Sequence, residues 1–249
     1  MQVIVNADDL GMSREVNEAI FDLMARGRVT SASLLANAPA TEEAIRTISK
    51  FPQCSFGAHL NITEYEPLCR AADLLGLLDG EGKLRPLPPG FRLTPTTLRA
   101  IHLEFNGQIQ KLLLNGVRIS HLDSHMHVHL RLALFPLIKI LQRTYDIRRI
   151  RTRHNLVAAG QHLGWQQRAN THVYNWAMRH VYNSVTADSG AELATFIAAE
   201  WEPHPRFRTV EALAHPGNPY YPGDIALLRS PWEEALPFPV RLINYHQLS

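Results

Sequence analysis

The chain has 249 residues, of which 45% are hydrophobic and 19% charged, with a formal net charge of +2. That length suits one large α/β domain or two small ones with a substantial core, and the charged fraction is too low for a disordered chain. The charge gives no mandate for nucleic acid, and no apolar run approaches the roughly 20 residues of a membrane span.

"QVIVNA" is a short β-branched run that suits a strand buried on both faces. Ser13 then reads as an N-cap, with Glu15 in the first turn and an apolar stripe at Val16, Ala19, Ile20, Leu23 and Met24. Gly27 reads as the stop of that helix. "VTSASLLAN" is the second strand, "TEEAIRTISK" the second helix with Thr41 as its cap, and "CSFGAHLNIT" the third strand. From Glu64 to about Pro95 the chain is rich in Gly, Pro and Asp and too long for an ordinary connection, so a functional loop over a site is expected.

A helix from about Thr96 to Asn115 stops before Gly116, and "VRISHLD" follows as the fourth strand. The next helix is expected from about Leu130 to Tyr145, bent at Pro136, and "IRRIRTR" is the fifth strand candidate. The stretch from about Leu156 to Trp201 is helix-rich but poorly patterned. "TVEALAHPG" and "VRLINY" are late strands, separated by a Pro-rich loop and a short "WEEAL" helix. No internal repeat, low-complexity tract or linker interrupts the order, so one α/β domain over 1–249 is expected, as a parallel-stranded barrel or a doubly wound sheet.

Cys54 and Cys69 lack metal-type spacing and indicate no disulfide framework. The N-terminus enters "VIVNADD" without a basic n-region or cleavage site, so the expected location is cytoplasmic. The basic cluster Arg148, Arg149, Arg151 and Arg153 reads as a solvated face, with Arg151 or Arg153 able to meet a polar substrate.

The conspicuous ionisable residues fall at the downstream ends of the expected strands: Asp8 and Asp9, then His59, then His121 to His129, then His215. In parallel α/β architectures sites are built at that edge, so these segments would converge in space. Neighbouring carboxylates in an extended chain point to different sides, so one of Asp8 and Asp9 could ligate a metal while the other handles protons. His59 gains weight from the small and polar Gly57, Asn61 and Thr63 around it, and "AHPG" places His215 beside turn residues.

The run "HLDSHMHVH" supports a strand face (His121, Asp123, His125, His127, His129) or a helical i, i+4 stack (His121, His125, His129). Repeated imidazoles indicate metal ligation, proton transfer or both. With a rise of about 3.3 Å per residue they cannot all reach one ion. One or two would be ligands, while Asp123 or another histidine orients a ligand from behind. One carboxylate and two imidazoles would leave positions open for water and substrate.

"VNADDLGMS", "GAHLNIT", "HLDSHMHVH" and "AHPG", with the closing "INYHQL", occur in the order and approximate spacing of a known family. The chain resembles the YdjC-like carbohydrate deacetylases of the ChbG and HpnK type along nearly its whole length. It differs mildly at Leu10, Ala58 and Ile62, and least resembles them from about Arg153 to Glu202. The resemblance implies a distorted TIM-like (β/α) barrel with parallel strands and one divalent metal ion held by Asp9, His59 and His125. It also implies a hydrolase that removes acetyl from an N-acetylated amino sugar, chitooligosaccharide-like or glycolipid-linked, by cleaving a linear amide.

On that basis Asp8 is the expected general base, and His215 the acid that protonates the departing amine, with His127 as the alternative acid. Asp123 supports a ligand, and His121 and His129 are structural. Mg or Zn is favoured for the ion, with Mn, Co and Ni admitted by mixed N/O ligation. The expected partner is a small N-acetylated sugar, with a homodimer left open. A metal-dependent phosphoesterase and a non-catalytic carbohydrate-binding protein on the same scaffold are the alternatives.

Overall fold

Runs of Val, Ile, Leu and Ala with few charges form the strands, as befits strands covered on both faces. These are β1 (Gln2–Leu10), β2 (Ser31–Leu34), β3 (Ser55–Leu60), β4 (Ile119–Ser124), β5 (Ser189–Glu192), β6 (Thr209–Ala214) and β7 (Arg241–Ile243). The helices are α1 (Arg14–Ala25), α2 (Thr41–Ile48), α3 (Pro95–Leu114), α4 (Phe135–Tyr145), α5 (Trp165–His180), α6 (Leu193–Ile197) and α7 (Asp224–Arg229). The computed structural model describes residues 1–70, 74–88, 91, 93–202 and 206–249.

All strand pairs are parallel, in the order β4-β3-β2-β1-β6-β5, with β7 also against β1. β1 has three neighbours because β7 takes Gln2 to Ile4 while β2 takes over from Asn6 onward. Val3, Ile4, Val5 and Ala7 of this central strand are fully buried. The sheet curls as a half-barrel. Beyond β4 the pairing continues only through single bridges, Leu122 to Ile150 and Arg149 to Val185. The result is the distorted TIM-like α/β architecture expected from the sequence.

Several local expectations are corrected. "IRRIRTR" makes only those two bridges and no strand, and at Arg153 its backbone N–H and carbonyl pair with the Asn175 side-chain amide instead of a neighbouring strand. Of the expected solvated basic face only Arg148 is exposed: Arg151 is buried, and the partly buried Arg149 and Arg153 donate to the carbonyls of His246 and Leu248 and of Leu130. Thr41 is the first residue of α2 rather than its cap, and its hydroxyl donates to the carbonyls of Leu35 and Ala38.

Pro136 sits in the first turn of α4 and so bends nothing, since a proline there gives up no helical hydrogen bond. The helix begins later than expected because His125–Leu130 and Leu132–Leu134 form 3₁₀ turns. Strand β5 and helix α7 escaped the sequence pattern: the first is the four-residue "SGAE", the second lies in the Pro-rich loop. The "WEEAL" helix is a 3₁₀ turn, Trp232–Ala235. Within the long loop after Glu64, a 3₁₀ turn forms at Leu75–Leu77 and Leu78 bridges Leu84, while residues 71–73, 89–90 and 92 lie outside the described residues.

Gly57 of β3 shows how tightly the strand ends are fitted. A Cβ there would stand 2.4 Å from the His121 ring. That ring cannot retreat: it stacks on Tyr245 at 3.6 Å between centroids, and its nitrogens lie 2.8 Å from Ser120 Oγ and 3.2 Å from Ser33 Oγ. Gly57→Ala is therefore expected to cost about 1–3 kcal/mol of stability. Urea unfolding measures this, and a loss within error of zero would show that the ring has room to move.

Candidate metal and acid-base site

Parallel register brings the polar residues together. His59 and Asp123 are direct neighbours on β3 and β4, and Ala7 is paired with Ala214, which sets Asp8 beside His215. A register irregularity between Ala7 and Leu10 accompanies a left-handed φ of 67° at Asp9. Strict alternation would send Asp8 and Asp9 to opposite faces; the bulge re-aims Asp9 into the same mouth. A non-glycine residue in that region is strained, and such strain gathers at functional sites.

Asp9 Oδ1 lies 2.8 Å from His125 Nδ1 and 3.4 Å from His59 Nε2, and all three side chains are buried. The Asn218 side-chain amide donates to Asp9 Oδ2 at 3.0 Å. With bonds of about 2.0–2.2 Å, the ligand atoms of a four- or six-coordinate ion stand roughly 3 Å apart, so this donor set fits a divalent metal. The other side of the His59 ring, Nδ1, lies 2.8 Å from Asp123 Oδ1. That pairing fixes Nδ1–H and turns Nε2 toward Asp9, where it would bind a metal once its own proton is lost, the arrangement that orients a metal-binding imidazole. Asp123→Asn is expected to weaken metal binding about 10–100-fold, read by competition with a chelator. Unchanged affinity would remove Asp123 from that role.

A second grouping, Asp8, His59 and Asp123, also brings three donors together. Its carboxylates are already engaged by Arg151, which donates from Nη1 and Nη2 to the two oxygens of Asp8 at 2.7 Å each. The same guanidinium lies 2.9 Å from Asp123 Oδ2 and 2.8 Å from Glu211 Oε1. Asn6 and Ser33 complete the set, Asn6 donating to Asp8 Oδ1 at 2.7 Å and Ser33 to Asp123 Oδ2 at 2.6 Å. Burial alone would raise the Asp8 carboxyl, but Arg151 holds it well below the usual carboxylate range, so it is ionised at neutral pH. Arg151, read from the sequence as part of a solvated basic face able to meet a polar substrate, is instead the buried counter-charge of three acids.

His215 Nε2 lies 3.9 Å from Asp8 Oδ2, and the His215 ring stacks on Tyr221 at 3.9 Å between centroids. Burial pulls this imidazole below its ordinary value, against Asp8, Asp9 and Asp224. His127 has a left-handed φ of 52°, packs edge-on against His154 at 5.1 Å, and its buried Nδ1 has no hydrogen-bond partner among the described residues. His121 and His129 are fully buried and pushed down to about 3 by desolvation, and His129 bonds Ser124 and the Arg151 carbonyl.

Sequence reading missed Arg151 as an organiser, and Glu211, Ser33, Asn6, Asn218 and Glu192 altogether. Glu211 alone carried a signal, as a charged residue inside the apolar run "TVEALA". Glu192 obeys the strand-end rule, but its strand was not recognised.

A curled parallel sheet with one aspartate and two imidazoles converging at its carboxyl edge defines an α/β protein with a candidate mononuclear metal centre. The YdjC-like protein family model matches residues 2–232, and the chain belongs to that family. It is 38% identical over 149 residues to a carbohydrate deacetylase of Halalkalibacterium halodurans, covering 59% of this chain and 62% of that one. A carbohydrate deacetylase of Vibrio vulnificus YJ016 is 30% identical over 180 residues, covering 72% and 69%. The alignment thus spans less than two thirds of the Halalkalibacterium protein. Among solved structures, a proposed cellobiose-phosphate cleavage protein of Enterococcus faecalis V583 superposes with a TM-score of 0.72 at 21% identity, over 98% of this chain and 97% of that one, and shares the fold. No helix among the described residues is long and apolar enough to cross a membrane.

Proposed function

We propose that this protein is a metal-dependent hydrolase that removes acetyl from an N-acetylated amino sugar. The observation that carries the reading is the buried Asp9–His59–His125 triad with an ionised carboxylate, Asp8, and an imidazole, His215, beside it. The relatives named carbohydrate deacetylase support the choice of substrate class. Asp9, His59 and His125 would hold one divalent ion, with Mg or Zn favoured by the mixed donor set. When bound, the ion supplies Lewis acidity that acidifies a water and polarises the acetamide carbonyl.

Asp8 would accept a proton from the attacking water. Its pairing with Arg151 keeps it ionised, and so able to accept one, at neutral pH. As the C–N bond breaks, His215 delivers a proton to the departing amine; His127, the alternative acid, packs edge-on against His154. Asp123 holds the His59 ring in its ligating tautomer. Arg151 occupies the second carboxylate grouping, which favours one ion over the pair that a phosphoesterase often uses.

The test is acetate release from N-acetylated mono- and disaccharides by metal-reconstituted protein. Asp8→Asn and His125→Ala are each expected to lower it by about 100-fold or more. Full acetate release in both variants would end this reading. Sugar binding without acetate release across the panel would support the binding-protein alternative.

A further inference from the structure

His215 has a second face that the scheme above leaves unused. Its Nδ1 is buried and lacks a hydrogen-bond partner among the described residues. Two carboxyl groups converge on that atom: Glu192 Oε2 at 3.7 Å and Asp224 Oδ2 at 4.0 Å. They are not equivalent. Asp224 Oδ2 is committed, accepting the backbone N–H of His215 at 2.7 Å and so pinning the end of β6. The Glu192 carboxyl, at the end of β5, has no hydrogen bond among the described residues and needs only a side-chain rotation to reach Nδ1. Tyr221 covers one face of the imidazole, so the ring keeps Nε2 toward Asp8 and Nδ1 toward Glu192.

We propose that Glu192 is the positioning and proton-relay residue of His215, passing a proton to Nδ1 while Nε2–H is given to the departing amine. The inference rests on the deacetylase reading for the identity of that amine. The step balances as follows: the C–N bonding pair stays on nitrogen, which takes the Nε2 proton, and the Glu192 O–H proton moves to Nδ1. The imidazole ends neutral in its other tautomer and Glu192 ends as a carboxylate. Its side chain is 36% exposed, so solvent can return the proton between turnovers.

The groups facing this pair agree with a shared proton. Asp8 from β1, Asp224 from α7 and the phenol of Tyr221 surround it, with Arg151 beyond Asp8. Burial first, then the Asp8 and Asp224 charges, push Glu192 up to about 8, so at neutral pH its carboxyl holds the proton that the relay requires. Two groups this close titrate together, in two steps that belong to the pair.

The experiment uses the full chain, loaded with zinc and labelled with ¹⁵N-histidine, with the His215→Gln spectrum identifying the ring signals. In the wild type the His215 nitrogens should respond in two steps that belong to the Glu192–His215 pair. Glu192→Gln should abolish the upper step, and Glu192→Asp should retain it. For acetate release from an N-acetylglucosamine disaccharide, Glu192→Gln should lower kcat about 10–100-fold without raising KM. A single step with the same midpoint in wild type and Glu192→Gln, or an unchanged kcat, would overturn the relay. If the upper step vanishes as expected but no sugar yields acetate, the hydrolase reading fails while the Glu192–His215 pairing stands.

Discussion

Arg151→Met is expected to destabilise the protein by about 3–5 kcal/mol. The substitution keeps much of the side-chain volume but leaves Asp8, Asp123 and Glu211 buried around a missing guanidinium. Those side chains are 2%, 0% and 3% exposed, so water cannot replace the lost charge. Removing one member of a buried ionic cluster is costlier than never having built it, because the remaining charges stay desolvated. Arg151→Lys should recover only part of the loss, since an ammonium cannot span three carboxylates as the planar fork does. Urea unfolding of both variants measures the effect, and a loss under about 1 kcal/mol for Arg151→Met would show that the acids shed their charge by protonation.

The second large effect is the pH dependence of metal loading. In the metal-free protein, burial would lower His59, but Asp123 and Asp8 outweigh it and hold the imidazole up at about 10. His125 is held at about 9 by Asp9 and Glu64 against the same desolvation. Both are therefore protonated at pH 7, and an ion that takes one lone pair from each must expel about two protons. Affinity should rise by up to about 100-fold per pH unit across neutral pH and level off as the pH passes the two imidazole values.

The sign is opposite for the metal-free fold. A raised imidazole pKa stabilises it below the unfolded value near 6.5, and that contribution is lost as pH rises through about 9 and 10. Calorimetric titration with Zn²⁺ in buffers of different ionisation enthalpy counts the protons. A heat independent of buffer would mean that the imidazoles are neutral before the metal arrives.

Much of the site was legible because strands leave plain signatures. Short, largely apolar runs located β1, β2, β3, β4 and β6, and the rule that sites collect at the carboxyl edge then gathered Asp8, Asp9, His59, Asp123, His125 and His215 from four distant segments. The run "HLDSHMHVH" resisted either period because it obeys both in turn: strand through Ser124, then a 3₁₀ turn in which Met126 and His127 take left-handed φ values of 49° and 52°. No pattern of side-chain polarity announces such a turn. Likewise β5 was too short and too poor in β-branched residues to register, and Glu192 was lost with it.

The sequence by itself determined the family and the parallel α/β class, because both are written in local runs whose chemistry does not depend on the partners they meet; the ligand set Asp9, His59 and His125 followed from the family resemblance rather than from spacing. Tertiary structure alone decided which partner each charge has. Arg151 looked like one of four exposed bases and became the buried hub of three acids, since three strands deliver carboxylates to one point and only a guanidinium can satisfy them together. Asp9 was turned toward Asp8's side by a backbone bulge that no residue type signals. The histidines divided the same way: His121 and His129 were fixed as neutral by desolvation, while His59 and His125 were held charged by neighbouring carboxylates. The balance between burial and Coulomb attraction is a property of the assembled interior, and residue order does not contain it.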